Sequence, residues 1–112
     1  MMVKIIKMSK DNADKHYSTW KCNQNVPHNY IVTTRWKQKC ELHDIVKIEH
    51  IDGYWVCRGI VKMPYAFISS IYAAEGFKTQ REFVNELYNL YGDRKGFYGH
   101  EFYIHFFELV MN

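Results

Sequence analysis

The pattern of apolar and polar residues along the chain predicts five strands. The segments concerned are rich in β-branched and aromatic residues, which suit a pleated and half-buried backbone. They cover residues 3–6, 30–36, 45–51, 54–63 and 102–110. Asp52 and Gly53, between the third and fourth segments, predict a tight hairpin because glycine accepts a positive φ without a steric clash. The last segment is apolar on both faces, which predicts a central strand.

A longer spacing predicts helices after the hairpin. Apolar residues three and four positions apart predict a helix over 65–75, which we expect Gly76 to end in the left-handed conformation. Thr79 and Glu82 match a capping box and predict the start of a second helix, which ends at Gly92.

The N-terminal part carries a weaker pattern. Asp11 is placed to cap a short helix that reaches Tyr17 or Trp20, and the polar residues 21–29 predict a loop. Because the strands do not alternate one for one with helices, we do not expect a doubly wound sheet. The predicted class is α+β, with a small β-barrel or a curled, mostly antiparallel sheet and two to three flanking helices.

Length and composition predict one folded domain over residues 1–112. A chain of this length buries one core, and its 17% aromatic content is too high for a disordered chain. Its first residues are too charged for a signal peptide, and no apolar run reaches the roughly 20 residues that span a bilayer. We therefore expect a soluble protein of the cytoplasm.

Cysteines and histidines do not predict a metal site. Cys22, Cys40 and Cys57 are odd in number and widely spaced, which argues against a disulfide framework. Cys40 and His43 have the spacing of a pair of metal ligands, and His50 lies nearby in the sequence. A zinc site, however, usually has two close pairs of ligands. We expect free thiols and surface histidines, with no metal and no cofactor.

Charge is distributed unevenly along the chain. Residues 1–40 contain eight Lys or Arg and two acids, whereas residues 41–112 contain seven and ten. A basic first third beside an acidic remainder suits a face that binds a polyanion. An ordinary mixed surface explains the same distribution equally well.

Aromatic rings and cations stand together between Tyr30 and Lys39. Cations neutralise phosphates and rings stack on unpaired bases, so this pairing is typical of nucleic-acid sites. The alternative is that Trp36 packs inside the protein and the lysines face solvent. The predicted nucleic-acid-binding residues are Tyr30, Thr33, Arg35, Trp36, Lys37, Lys39 and, on the fourth strand, Arg58.

Three further titratable residues have unusual positions. Glu75 is predicted at the C-terminal end of a helix, where the helix dipole disfavours a negative charge, so a role in a cleft is open. Glu108 in an apolar strand predicts a salt bridge with Arg58 or Arg35. His105 alternates with phenylalanines and is interpreted as a core histidine.

Several short motifs follow one another between Ile31 and Val110. They are Thr33-Thr34-Arg35, Leu42–Val46, Cys57–Val61, Glu75-Gly76-Phe77, Leu90-Tyr91-Gly92 and Tyr103–Val110. Their order resembles an ASCH domain, a branch of the PUA-like folds, although the family often has glycine where His43 stands and residues 1–29 match poorly. The resemblance implies a small β-barrel with helices at its side, a cleft between them, and a role connected with RNA.

Some ASCH proteins are small enzymes, including an amidohydrolase that acts on acetylated cytidine. The resemblance places the Thr and Glu of that enzyme's pattern at Thr33 and Glu75, which are the candidate catalytic residues, and its Lys at Tyr30. A phenol is a poor base near neutral pH, so the same chemistry lacks its amine unless Lys37 or Lys39 supplies it.

Three functions stay open at this point. The first is a module that binds RNA or a nucleotide through a basic and aromatic cleft. The second is a small hydrolase, of amidohydrolase or ribonuclease type, that acts on a modified nucleoside or on RNA. The third is an adaptor or inhibitor that binds a protein partner through its many aromatic residues. No membrane partner is expected.

Overall fold

The computed structural model of the protein describes residues 3–22 and 29–111 and shows an α+β fold. The strands are β1 (Lys4–Ile6), β2 (Tyr30–Arg35), β3 (Ile45–Ile48), β4 (Tyr54–Pro64) and β5 (Glu101–Met111). They form one sheet in the order β1-β3-β4-β5-β2. Strands β1 and β3 run parallel, and the other neighbouring pairs are antiparallel. The five predicted strands are therefore confirmed.

Helices pack beside the sheet. They are α1 (Lys10–Cys22), α2 (Tyr65–Ile68) and α3 (Gln80–Tyr91), with 3₁₀ turns at Ser69–Ile71 and Phe97–Gly99. Helix α1 begins after Ser9, whose hydroxyl accepts a hydrogen bond from the amide of Asn12, and not after Asp11 as predicted. It extends to Cys22, so the first residues of the predicted 21–29 loop are helical. Residues 23–28 of that loop lie outside the described part of the chain.

Helix α3 begins with the predicted cap. The Thr79 hydroxyl accepts a hydrogen bond from the amide of Glu82 at 3.1 Å. The Glu82 carboxylate accepts from the amide of Lys78 at 3.4 Å, one residue earlier than a full capping box requires. Phe83 and Leu87 form the apolar face that packs against the sheet.

The predicted helix over 65–75 is wrong in length. Only residues 65–68 are α-helical, and the chain then tightens into a 3₁₀ turn. The Ser70 hydroxyl donates to the carbonyl of Phe67 at 2.8 Å and so competes with the helical backbone for that acceptor. Gly76 adopts the left-handed conformation with a φ of 85°, as predicted.

Strands β3 and β4 form the predicted hairpin, but residues 49–53 connect them, so the connection is longer than the predicted tight turn. Val46 pairs with Trp55 across it, and Gly53 takes a φ of 98° in the connection. Strand β3 ends at Ile48, three residues earlier than predicted. The reason is that His50 has a φ of 65°, which an extended strand does not allow.

The sheet curls around an inner core. This core contains Ile6 of β1, Ile31 of β2, Trp55 of β4 and Phe107 of β5, together with Ala13 of α1. Because both edge strands contribute to one core, the sheet must curve around it. Strands β1 and β2 do not pair with each other in the described structure. The curled-sheet alternative is therefore observed, whereas the closed β-barrel is not.

An outer core lies between the sheet and helices α2 and α3. It contains Val32, Phe102 and Ile104 from the strands, and Phe83 and Leu87 from α3. Strand β5 lies between β4 and β2 and contributes to both cores, which confirms the predicted central strand. Within the described ranges, none of the helices has the length and apolar character needed to cross a membrane.

Two phenylalanines give a matched test of the inner core. Phe107 is 0% exposed, whereas Phe67 is 66% exposed. We expect Phe107→Ala to lower the free energy of unfolding by about 3–5 kcal/mol, because it removes packed apolar surface and leaves a cavity. Phe67→Ala should change it by less than about 0.5 kcal/mol. Urea denaturation measures both values, and equal losses would contradict the place of Phe107 in the core.

Candidate functional site

A cleft of about 570 Å³ lies where the curled sheet meets α3. One wall is formed by the start of α1 and the residues before it, and a second by the C-terminal end of β2. The third wall is formed by α3 and the segment before it. The lining includes Lys7, Asn12, His16, Thr33, Arg35 and Glu75. Because β2 is an edge strand, no further strand covers its side toward α1 in the described structure, and the cleft lies on that side.

Two buried polar side chains contact one buried carboxylate in the cleft. The Thr34 hydroxyl donates a hydrogen bond to Oε2 of Glu75. Nε2 of His16 lies 3.4 Å from Oε1 of the same carboxylate. Each of the three residues is at most 8% exposed. The carboxylate is thus shared between a strand and a helix, which fixes the distance between β2 and α1.

His16 connects α1, β2 and this carboxylate. Its Nδ1 lies 2.7 Å from the carbonyl of Asn12, and its Nε2 lies 2.8 Å from the carbonyl of Val32. A carbonyl oxygen only accepts, so each ring nitrogen makes its bond as a donor, and the imidazolium form satisfies both. When the ring is protonated, it forms a buried ion pair with Glu75. Val32 belongs to an edge strand, and His16 supplies the partner that a further strand would give its carbonyl.

Three polar atoms in the cleft wall have no partner. They are Oδ1 of Asn12, Oγ1 of Thr33 and Nε of Arg35, each buried and each without a hydrogen bond among the described residues. Buried polar atoms are nearly always hydrogen-bonded, so a group of them in one cleft marks a candidate ligand site. Together they offer an acceptor, a hydroxyl that both donates and accepts, and a cationic donor.

The charges around the cleft are mixed in sign. The basic residues are Lys7, Arg35 and His16, and the acidic residues are Glu49, Glu75 and Glu86. A chain of phosphates inside this cleft meets carboxylates as well as cations, which removes the electrostatic gain. The arrangement suits a neutral polar ligand that also contacts the apolar side chains of Phe77 and Leu87.

Three of the residues predicted from sequence come together in this cleft. They are Thr33, Arg35 and Glu75. Thr33 and Glu75 were the candidate catalytic pair, but the hydroxyl that contacts Glu75 belongs to Thr34. Neighbouring residues of a strand point to opposite faces, so only one of the two threonines meets the carboxylate. The predicted residues outside this lining are Tyr30, Trp36, Lys37, Lys39 and Arg58.

Trp36 belongs to a cluster of rings next to the outer core. Its ring stacks on that of His100, with 3.5 Å between the centroids and 5° between the planes. Phe102 contacts it edge-on, and the Arg94 guanidinium lies 5.1 Å from the ring centroid. This geometry follows the alternative in which Trp36 packs against the protein. Stacking of a base on Trp36 stays a prediction, and it requires one of these neighbours to move.

The predicted salt bridge of Glu108 is formed with Arg58. Nε of Arg58 lies 2.8 Å from Oε1 of Glu108, which confirms one of the two proposed pairs. Lys37 and Lys39 are exposed, so their side chains are available to a partner in solution.

Two cysteines are buried free thiols, Cys40 and Cys57. Burial raises the pKa of Cys40 to about 12 and also raises the pKa of Cys57. Neither is therefore a reactive thiolate near neutral pH. His43 and His50 are exposed, as expected of surface histidines. The side chain of Cys22 lies outside the described structure.

Sequence reasoning missed Asn12, His16 and Thr34. Asn12 and His16 are four residues apart and so share one face of α1, but the poor apolar pattern of this helix hid that signal. Thr34 adjoins Thr33 on a strand, where one of two neighbours has to face the helices. The two adjacent threonines were therefore the feature of the sequence from which Thr34 could have been predicted as a site residue.

Comparisons with known proteins bear on the fold alone. No protein-family model matches the chain, and no curated protein matches its sequence. The chain is similar to a solved structure, the crystal structure of hypothetical protein PH0355, with a TM-score of 0.64 and 13% sequence identity. The similarity covers 97% of this chain and 100% of that one. At this level of identity, the two chains share a fold, and nothing more follows about function.

His105 lies behind Thr33 in the sheet, as its partner on β5. Its ring is buried, and its Nε2 accepts a hydrogen bond from the amide of Lys39 at 3.1 Å. Burial, followed by the positive charge of Arg35, lowers the pKa of His105 to about 4. The ring is therefore neutral near neutral pH, as expected of a core histidine.

The low pKa of His105 predicts a pH-dependent stability. Because its folded-state pKa lies below the usual 6.5, the unfolded chain binds more protons between these two values. The stability it contributes is fully present above pH 6.5 and is lost as the pH falls toward 4. We expect His105→Gln, which keeps an acceptor for Lys39, to reduce this loss by up to about 3 kcal/mol. Urea denaturation of both proteins over a pH series measures this loss. The same change of the free energy of unfolding with pH in both proteins would contradict the prediction.

Proposed function

We propose that the chain is a PUA-like module of the ASCH type that binds a base or nucleotide of RNA in its cleft. The observation that carries the proposal is the group of three buried atoms without partners, on Asn12, Thr33 and Arg35. Two of these residues belong to the Thr33-Thr34-Arg35 motif through which the sequence resembles ASCH domains. The position of the cleft, between the sheet and α3, supports the same assignment.

The chemistry of the cleft suits the edge of a base. Base edges carry donors and acceptors side by side, and the amide, hydroxyl and guanidinium groups of the cleft offer both. Phe77, Phe83 and Leu87 line it and supply an apolar surface for the face of the base. A volume of about 570 Å³ lies within the roughly 300–1,000 Å³ typical of small-molecule sites.

The remaining predicted residues have a different place in this proposal. Lys37 and Lys39 lie two and four residues after Arg35 and are exposed, so they contact phosphates outside the cleft. Arg58 is already paired with Glu108 and lies outside the proposed binding surface. Tyr30 and Trp36 lie outside the cleft lining, so neither contacts the base that enters it.

Thr33→Val tests the base site through two readouts. Valine keeps the shape of the side chain and removes the hydroxyl, which has no partner in the described structure. The free energy of unfolding should therefore stay the same or rise slightly. The loss of a hydrogen bond to the ligand should weaken binding by about 1 kcal/mol, or roughly fivefold. Titration calorimetry with ribonucleosides and their monophosphates measures the affinity, and urea denaturation measures the stability.

Thr79→Val is the matched control for this experiment. Thr79 caps α3 and does not line the cleft. Its replacement should lower the free energy of unfolding by about 1 kcal/mol and leave the affinity unchanged. The base site would be ruled out if the wild-type protein bound none of these ligands, or if Thr33→Val bound them as tightly as the wild type.

Hydrolysis of a modified nucleoside or of RNA is the second candidate function. The contact between Thr34 and Glu75 favours it, because a hydroxyl that donates to a carboxylate has the arrangement of a nucleophile beside a general base. The family resemblance implies an amine as well. Lys7 lines the cleft, whereas Lys37 and Lys39 do not, so Lys7 is the lysine placed to act there.

Acetylated cytidine is the substrate that tests this second function. Its hydrolysis to cytidine and acetate is followed by chromatography. We expect Thr34→Ser to retain turnover and Thr34→Val to abolish it, because only serine keeps a hydroxyl at this position. Turnover that survives in Thr34→Val would exclude Thr34 as the nucleophile, and absence of turnover in the wild type would leave the binding function alone.

A further inference from the structure

Three side chains from neighbouring strands form a row on the inner face of the sheet. Tyr103 of β5 pairs with Arg35 of β2 on one side and with Lys62 of β4 on the other. Because directly paired residues of antiparallel strands point to the same face, the three side chains are neighbours. The ammonium group of Lys62 lies 5.4 Å from the centroid of the Tyr103 ring. This cross-strand row, Arg35-Tyr103-Lys62, is thus an aromatic ring between two cations.

Two more cations follow the strand that carries Arg35. Lys37 and Lys39 follow β2 and are exposed. The amide of Lys39 donates to Nε2 of His105, which holds this segment against the inner face of the sheet. After burial, the charges of Arg35 and Lys39 both lower the pKa of His105. Arg35 and Lys39 therefore both lie close to His105.

The cations of this region are unpaired in the part of the chain that the structure describes. No carboxylate lies within ion-pair distance of Arg35, Lys37, Lys39 or Lys62 there. Elsewhere, Lys4, Lys10 and Arg58 each contact a carboxylate at between 2.8 and 3.1 Å. Unpaired cations around an aromatic ring form a surface for a polyanion that also carries flat, stackable groups.

We propose that the cross-strand row, with Lys37 and Lys39, binds the backbone and one base of a single-stranded RNA whose neighbouring base enters the cleft. The inference rests on the proposed function, because Arg35 lines the cleft and also pairs with Tyr103. The cations neutralise phosphates, and the Tyr103 ring stacks on an unpaired base. A single strand is favoured over a duplex, because the bases of a duplex are stacked within it and do not reach the ring.

Lys62→Ala tests the row without touching the cleft. Each phosphate contact with a single strand contributes about 0.7 to the slope of log K against log salt concentration. Loss of one contact should therefore weaken binding about eightfold at about 50 mM KCl and about threefold at about 200 mM. Fluorescence anisotropy with a labelled single-stranded RNA of about ten nucleotides measures both the affinity and the slope.

Arg58→Ala is the matched control, because Arg58 lies on the same strand as Lys62 and is paired with Glu108. Its affinity and salt slope should stay close to those of the wild type. Equal effects of Lys62→Ala and Arg58→Ala would overturn the row, as would a wild-type protein that binds no RNA at about 50 mM KCl.

Nucleoside titrations separate the row from the cleft. If the wild type binds nucleosides but Lys62→Ala leaves the RNA affinity unchanged, the cleft function stands and the role of the row is overturned. RNA binding that depends on Lys62 without nucleoside binding would support the row and overturn the base site. Binding of both ligands, with only the RNA affinity sensitive to Lys62→Ala, is the expected result.

Discussion

The cleft depends on one buried imidazole. His16 joins α1 to the edge strand β2 through the carbonyl of Val32, and it faces the carboxylate of Glu75. Without it, a strand carbonyl and a buried carboxylate would both lose a partner, at a cost of about 1–3 kcal/mol for a neutral group and more for a charge. Because His16 holds α1 against β2, Ala13 can close the inner core and Asn12 can reach the wall of the cleft.

The polar groups around the cleft form two sets with different consequences. His16, Thr34 and Glu75 satisfy one another, so they define the shape of the cleft and offer little to a ligand. The atoms without a hydrogen-bond partner lie on Asn12, Thr33 and Arg35, and we call them the open set. A polar ligand would supply their missing hydrogen bonds. Binding therefore uses the open set, whereas hydrolysis would use the Thr34 hydroxyl and the Glu75 carboxylate, which already satisfy each other. This difference is why binding is the leading proposal and hydrolysis the second.

Local signals were sufficient for the strands and for the start of α3, and only partly sufficient for the other helices and for the site. The hairpin at Gly53 and the cap at Thr79 depend on residues a few positions apart, so the sequence predicted them. The cleft joins His16 to Glu75, which is far away in the chain, and Trp36 meets His100, also far away. No periodic pattern indicates such contacts. Thr33 and Glu75 were paired through a family resemblance, which carries non-local information that the pattern of apolar residues does not. Arg35 was found from its place among aromatic and cationic residues.

An NMR titration with nucleosides tests the central claim most directly. The Nε–H of Arg35 and the side-chain amide of Asn12 give their own signals in a ¹H–¹⁵N spectrum, beside the backbone amide of Thr33. We expect these three signals to shift together as a nucleoside is added, because their side chains carry the unpartnered atoms. The Nε–H of Arg58, which is paired with Glu108, should not move. Shifts confined to Arg58, or a spectrum that no nucleoside changes, would contradict a base-binding cleft.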